Sequence, residues 1–387
     1  MTPRALDQLF LGGVLLAVFL YPAGYTAWAM PVLLAAMILD IASGRRPWIP
    51  TAFDRPLVAL MVALLASGLA SEWRLWSAGL VVLFGLTVWI SVYSVARVAA
   101  ARQEVIRYLV AAWAAGGLLA AVWGILRSAP YWPIGASTPL LLPTALGTTL
   151  AATAVLVLGI WTVAEGVPVR ILAAAGLVVV LTALELTWSR GAWIAALAAL
   201  AALAVMVILA PRRRAGLLVL FLVTLILATA AIGPGRVSLV RRIEAVPSAT
   251  FNLDRLALWE GALRIARAHP VLGTGYGTFH RAWPRHMPED IVGDPTTAHN
   301  LYLNFAAETG LVGLAAFLAF IVAALGGLWR RIACTRGDPR TDGLWAACLA
   351  AVVAILVHQL FDVTVASVHM GFGFAALLAL GQARGRR

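Results

Sequence analysis

The chain has 387 residues, of which 62% are hydrophobic and only 12% charged, and its mean hydropathy is +0.92. Soluble domains average about 45–50% apolar and about 25% charged residues, so a soluble globule is excluded and an integral membrane protein is expected. The formal charge of +12 comes from arginine alone, since no lysine occurs. Most of these arginines are scattered over short loops and form no single basic face, which argues against nucleic acid as a partner.

A helix needs about 20 apolar residues to cross a hydrocarbon core of about 30 Å. By that measure, spans are predicted near 6–20, 26–41, 57–71, 75–95, 105–126, 138–161, 168–187, 191–210, 215–232, 303–328, 343–361 and 366–382. No cleavage site follows the first of them, so it is expected to be retained. Arginine placement orients the set. With the N-terminus inside, cytoplasmic segments hold 18 arginines, short loops on the other face hold only Arg74, Arg127 and Arg190, and the long loop holds the remaining eight. Positive charge collects on cytoplasmic loops, so both termini are expected there. The expected fold is all-α, a transmembrane helical bundle of about 12 spans forming one domain over 1–387. Its one large loop, 233–298, contains amphipathic helices and faces outward, which in a Gram-negative cell is the periplasm. The two cysteines, Cys334 in a predicted cytoplasmic loop and Cys348 in a span, suit neither a disulfide nor a metal site.

Polar chemistry concentrates on the outer face. Trp188-Ser189-Arg190-Gly191 joins two spans. Arg190 reads either as an interfacial arginine snorkelling beside a tryptophan belt or as a fixed cation for an anionic head group. Residues 252–269 read as an amphipathic helix with an apolar stripe of Leu253, Leu256, Trp259 and Leu263. Arg255 lies on one edge of that stripe, and Glu260, Arg264 and Arg267 on the other. These arginines either meet lipid phosphates or, for Arg255 and Arg264, clamp a diphosphate through the paired bonds a guanidinium makes. Pro270 ends the helix. Gly273-Thr274-Gly275-Tyr276-Gly277 follows as a tight turn whose backbone approaches a ligand or a neighbouring helix; no strand precedes it, so a dinucleotide fold is excluded.

His299-Asn300 opens the next helix, with Tyr302 close by and Glu308-Thr309-Gly310 two to three turns on. His299 is either structural or a general base for a hydroxyl group, since imidazole titrates near neutrality. His269, His280 and His286 have weaker claims. Asp362 orients a base, binds a sugar hydroxyl or is an ordinary solvated end residue. The loop has no Asp-x-Asp pair, and its acids Glu289, Asp290 and Asp294 stand in a Pro/Gly-rich stretch. Phosphate chemistry is therefore expected to rely on arginine rather than Mg²⁺, with no metal and no cofactor.

In this order, the elements resemble the O-antigen ligase and O-antigen polymerase superfamily of bacterial membrane glycosyltransferases. The resemblance rests on Ser189-Arg190-Gly191 at the start of a mid-chain span, Arg255 and Trp259 four apart on the loop helix, and Pro270, Gly273 and Gly275 in the turn. It is completed by His299, Asn300, Tyr302, Glu308 and Gly310, and it covers about 170–365. It implies a metal-independent, inverting transfer of a glycan from undecaprenyl diphosphate. Arg190, Arg255 and Arg264 would grip the phosphates, His299 would be the base, and Asn300, Tyr302, Glu308 and Asp362 would support it. The acceptor would be a lipid A-core hydroxyl for a ligase, or a lipid-linked repeat unit for an O-antigen or exopolysaccharide polymerase. Membrane lipids surround the protein, and the inner membrane is the expected location, with the active site facing the periplasm. One departure stands out. Members often carry an Asn in the span after the first third, where this chain reads Leu142-Pro143-Thr144-Ala145-Leu146-Gly147. A protein O-oligosaccharyltransferase ranks lower, because those relatives usually extend past the last span. A transporter ranks lower still, because charge inside the spans is sparse.

Overall fold

The computed structural model describes residues 3–45, 50–52, 54–101, 104–128, 137–138, 141–208, 249–287, 295–335, 338, 341–364 and 368–381. The described chain is helical, with no strand. Its helices are α1 (Pro3–Leu20), α2 (Met30–Ala42), α3 (Asp54–Ala70), α4 (Arg74–Ala101), α5 (Val105–Ser128), α6 (Pro143–Val163), α7 (Val167–Leu186), α8 (Arg190–Ile208), α9 (Ala249–Ala268), the single turn α10 (Phe279–Ala282), α11 (Leu301–Thr335), α12 (Asp342–His358) and α13 (Val368–Leu380). Six are long and apolar enough to cross a membrane: α1, α4, α5, α6, α7 and α11. The apolar helices over Thr26–Ala42, Arg190–Met206 and Asp342–His358 are shorter. The predicted span near 215–232 and the acids Glu289, Asp290 and Asp294 lie outside the described residues, as does the loop over 233–248 and 288–294. Cys334, expected in a loop, lies exposed on the last turn of α11; Cys348 is buried in α12, and both are free.

Between helices the packing depends on small residues, as it does where lipid removes the hydrophobic drive for helix association. A Cβ on Gly159 of α6 would stand 2.4 Å from Ala347 Cβ of α12, and one on Gly343 of α12 would meet Thr162 Oγ1 of α6 at 2.0 Å. These two helices therefore lie side by side over most of their length. Trp113 of α5 packs against Tyr21 with ring centroids 4.5 Å apart and the ring planes tilted by 54°, and it donates its indole N–H to Thr153 Oγ1 of α6 at 3.1 Å.

One end of the bundle is closed by an ion network. Asp40 of α2 is fully buried, and a bare buried carboxylate would be very costly. Arg97 of α4 meets both its oxygens, and Tyr93 donates to Oδ2 at 2.8 Å. Arg45 reaches Asp40 at 3.5 Å and Asp7 of α1 at 3.1 Å. The start of α1 and the ends of α2 and α4 therefore share one face. Every candidate functional residue belongs to the opposite face, where α3, α7 and α12 end and α4, α6, α8 and α11 begin.

On that opposite face α11 is broken at Gly310, whose φ of 64° and ψ of −171° are far from helical. Only glycine takes that conformation without strain, and a side chain here would strike the Val271 carbonyl. The break frees backbone groups that must be paired at this depth. The segment 270–275 pairs them. Leu311 N–H donates to Pro270 O at 2.8 Å, Gly275 N–H to Glu308 O at 2.7 Å and Thr274 N–H to Ala307 O at 3.2 Å.

Candidate active site

Three short motifs shape the site locally. In Ser189-Arg190-Gly191, Ser189 is the N-cap of α8, its hydroxyl accepting from Ala192 N–H at 3.2 Å. Arg190 is thereby launched outward as the first residue of the helix and is exposed. Gly191 lets the segment after α12 come close, since a Cβ there would lie 2.9 Å from Phe361 Cβ. That contact sets Asp362 beside the start of α8.

Asn300 caps α11 in the same way, accepting from Tyr302 N–H at 3.0 Å and Leu303 N–H at 3.1 Å. His299 just before it holds a left-handed φ of 48°. Leu301 N–H donates to Gln359 O at 2.8 Å, and Tyr302 Oη donates to Leu356 O at 3.0 Å. Both bonds fasten the start of α11 to the end of α12. As a result His299 Nδ1 lies 3.1 Å from Asp362 Oδ1. The imidazole is 44% exposed while the carboxylate is only 12% exposed. Burial pushes the Asp362 carboxyl upward. Hydrogen bonds from His299, the Thr144 side chain and Val363 N–H outweigh it and hold the group down at about 2. An ionised carboxylate only accepts, so His299 Nδ1 carries the hydrogen, and the neutral ring keeps its lone pair on the outward Nε2.

Arg255 of α9 completes the cluster. Burial lowers its guanidinium pKa, the Asp362 carboxylate opposes this, and the Arg190 guanidinium adds to the lowering. The two arginines thus share one field, with the N-termini of α6, α8 and α11 adding partial positive charge on the same face. Such an array suits a dianionic group bound beside a base. Arg264 is not brought into it. Nine residues along α9 it lies about half a turn round from Arg255, exposed and paired with Glu260 at 2.7 Å.

The buried face of α9 also differs from the expected stripe. Leu258, Gly261, Ala262 and Ile265 face inward, whereas Leu256 and Leu263 are 58% and 40% exposed; the side chain of Leu253 lies outside the described ones. The reason is Trp283, whose ring fills the space over Gly261 so closely that a Cβ would come within 2.3 Å of it. The helix buries its small residues because the loop supplies the bulk.

Glu308 has a supporting role of a different kind. Its buried carboxylate accepts from Gly277 N–H and Phe279 N–H, each at 2.9 Å, and from the Asn304 side chain. Asn304 in turn accepts from Ala298 N–H at 3.0 Å. The corner between α3 and α4 grips the same turn: Ser67 donates to Glu308 O at 2.9 Å, Ser77 to Tyr276 O at 2.8 Å, and Ser71 to Thr274 O. The amides of Gly277 and Phe279 are thus committed to a carboxylate rather than to a ligand. Glu308→Gln puts an amide group against these donors and orphans at least one N–H, which costs about 1–3 kcal/mol. A clear fall in the thermal midpoint of the purified variant is expected. His269 and His286 face each other at 6.0 Å, and His280 packs against Trp76; neither contact involves His299 or Asp362.

Sequence reasoning missed Thr144, which lies in the first turn of α6, more than 200 residues from Asp362, and helps hold that carboxyl low. Its only local signal is the Pro143 that starts the helix. No curated protein matches the chain. Residues 175–318 match the family described as O-Antigen ligase. The matched segment carries Arg190, Arg255, His299 and Glu308, while Thr144 and Asp362 lie outside it. The ordered motifs, the apolar helices and this match over 175–318 together support kinship with the O-antigen ligase and polymerase superfamily.

Proposed function

We propose that the protein is an O-antigen ligase that moves a glycan from undecaprenyl diphosphate to a hydroxyl of lipid A-core, at the periplasmic face of the inner membrane. The observation that carries this reading is the 3.1 Å contact of His299 Nδ1 with an ionised Asp362 inside the field of Arg190 and Arg255. In the proposed step, His299 Nε2 takes the acceptor hydroxyl proton as the oxygen attacks the anomeric carbon. The bond from that carbon to the diphosphate oxygen breaks, and undecaprenyl diphosphate leaves with the electron pair. Attack from the opposite side inverts the anomeric configuration. Asp362 holds the ring in its reactive tautomer and stabilises the imidazolium that forms. Arg190 and Arg255 take up charge growing on the bridging oxygen, where fixed donors near lipid act more strongly than water does. No step requires a metal.

Deletion in the native host, followed by lipopolysaccharide gels, tests the reading. Loss of all capped lipopolysaccharide with polymer accumulating on the carrier lipid is the expected result. A single capped repeat with no ladder would instead identify a polymerase, which joins the same donor to a lipid-linked repeat unit. Unchanged lipopolysaccharide would remove both.

A further inference from the structure

We infer that Gln359 is a positioning residue for the proposed transfer: clasped to Thr364, its side chain closes the loop that carries Asp362, while its carbonyl holds the start of α11, so that one residue sets the carboxylate against His299. This rests on the reading of His299 as the base.

The end of α12 leaves carbonyls that no further helical turn can pair. They are divided between two uses. Ile355 O, Val357 O and His358 O accept from Gln359, Leu360 and Phe361 N–H at 3.1, 3.1 and 2.8 Å, which carries the winding a little past His358. Leu356 O and Gln359 O accept instead from Tyr302 Oη at 3.0 Å and Leu301 N–H at 2.8 Å. Both donors stand just after His299 in the chain. The backbone that bears the imidazole is therefore tied to Gln359.

Past Phe361 the chain leaves the helix, and the Gln359 side chain takes over the pairing. Its Oε1 accepts from Thr364 N–H at 2.9 Å, a group that a continued helix would pair with Leu360 O. Its Nε2 donates to Thr364 Oγ1 at 2.8 Å and to Ile355 O at 3.2 Å. Gln359 and Thr364 are both buried, where an unmet donor or acceptor is costly. The amide thus closes a loop over 359–364 with Asp362 inside it. Phe361 against Gly191 holds one side of that loop, and the clasp holds the other.

His299 Nδ1 and Asp362 Oδ1 are 3.1 Å apart although 63 residues separate them in sequence. Through the fold the path is short. It runs from His299 to Leu301, across the Leu301 N–H bond to Gln359 O, and along the closed loop to Asp362. Polar groups that are fully paired in a low-dielectric setting rigidify the segments they join. The clasp touches neither carboxylate oxygen, so its effect on the reaction passes through the placement of Asp362.

The test uses full-length protein in phospholipid nanodiscs, undecaprenyl-diphosphate-linked glycan and lipid A-core extracted from the host, and release of undecaprenyl diphosphate per folded protein as the readout. Thr364→Val keeps shape and removes the oxygen that accepts from Gln359. It is expected to lower kcat roughly tenfold, less than the 10²-fold that a misplacement of about 1 Å can cost. KM for the donor should stay unchanged, and Thr364→Ser should recover most of the rate. Gln359→Leu should lose at least as much, and adding Thr364→Val to it should cost little more, because both act on one clasp. Wild-type kcat in Thr364→Val overturns the inference, as does a loss that Thr364→Ser does not restore or a full further loss in the double variant. Should Thr364→Val fail to accumulate, Thr364→Ala is read in the same way, and loss of folded protein in both overturns positioning in favour of a structural bond. His299→Asn run alongside separates the two ideas: full activity there refutes the base itself, whereas an inactive His299→Asn beside a fully active Thr364→Val refutes only the clasp.

Discussion

Replacing His299 is expected to lower glycan transfer by about 10²–10⁴-fold, the usual contribution of a positioned base, without loss of folded protein. Asparagine is the better replacement. His299 holds a φ of 48°, where alanine is strained and asparagine is tolerated. The capping of α11 belongs to Asn300 and the fastening to α12 belongs to Leu301 and Tyr302, so the helix start survives loss of the imidazole. Asp362→Asn should come close to the same loss. Its amide can offer a donor to Nδ1, which drives the hydrogen to Nε2 and removes the lone pair that accepts the proton. The carboxyl at about 2 lies below its ordinary 3.8, so its contribution is complete above about pH 4 and is lost only as pH falls towards 2. Retained turnover in His299→Asn, with membrane insertion intact, would take the residue out of the mechanism.

The second large effect is expected at the arginine pair. Arg255→Ala should lower kcat/KM by about 10²–10³-fold, by analogy with loss of one donor from a site that stabilises a developing oxyanion. Arg190→Lys should also lose much of the activity although it keeps the charge, because an ammonium cannot make the paired bonds of a guanidinium. Arg255 is half-buried and Arg190 exposed, so the effect at Arg255 should be the larger. Arg264→Ala, in contrast, breaks only an exposed ion pair with Glu260, and such pairs contribute little. Kinetics of donor turnover, with inhibition by released undecaprenyl diphosphate, would check the series. An unaffected Arg190→Lys would mean that Arg190 merely reaches for the membrane surface.

Much of this arrangement can be read locally. Pro270 and the glycines after it mark the end of α9, which stops at Ala268. Ser189 and Asn300 are capping residues directly ahead of apolar runs, and each starts its helix one residue later. The turn of Gly273 to Gly277 was legible as a close approach, but its partner was not. Nothing near it announces that Glu308, about thirty residues on, collects its amides. The stripe on α9 failed for a related reason. Periodicity ranks large apolar residues as buried, whereas here a tryptophan from outside the helix makes Gly261 and Ala262 the inner face.

Composition and the run of apolar segments by themselves determined an all-helical membrane protein with its polar chemistry at one end, because lipid admits few other ways to satisfy a backbone. They also singled out His299, Arg190 and Arg255, each standing at a helix end or on the amphipathic helix of the long loop. Tertiary structure alone decided that Asp362, 63 residues from His299, is the partner of the imidazole, and that Arg264 is turned away. Those outcomes depend on the register of α6 against α12 and on small residues such as Gly159, Gly343 and Gly191 that let the elements close up. Register is a sum of many contacts between distant segments, and no local window of residues contains it.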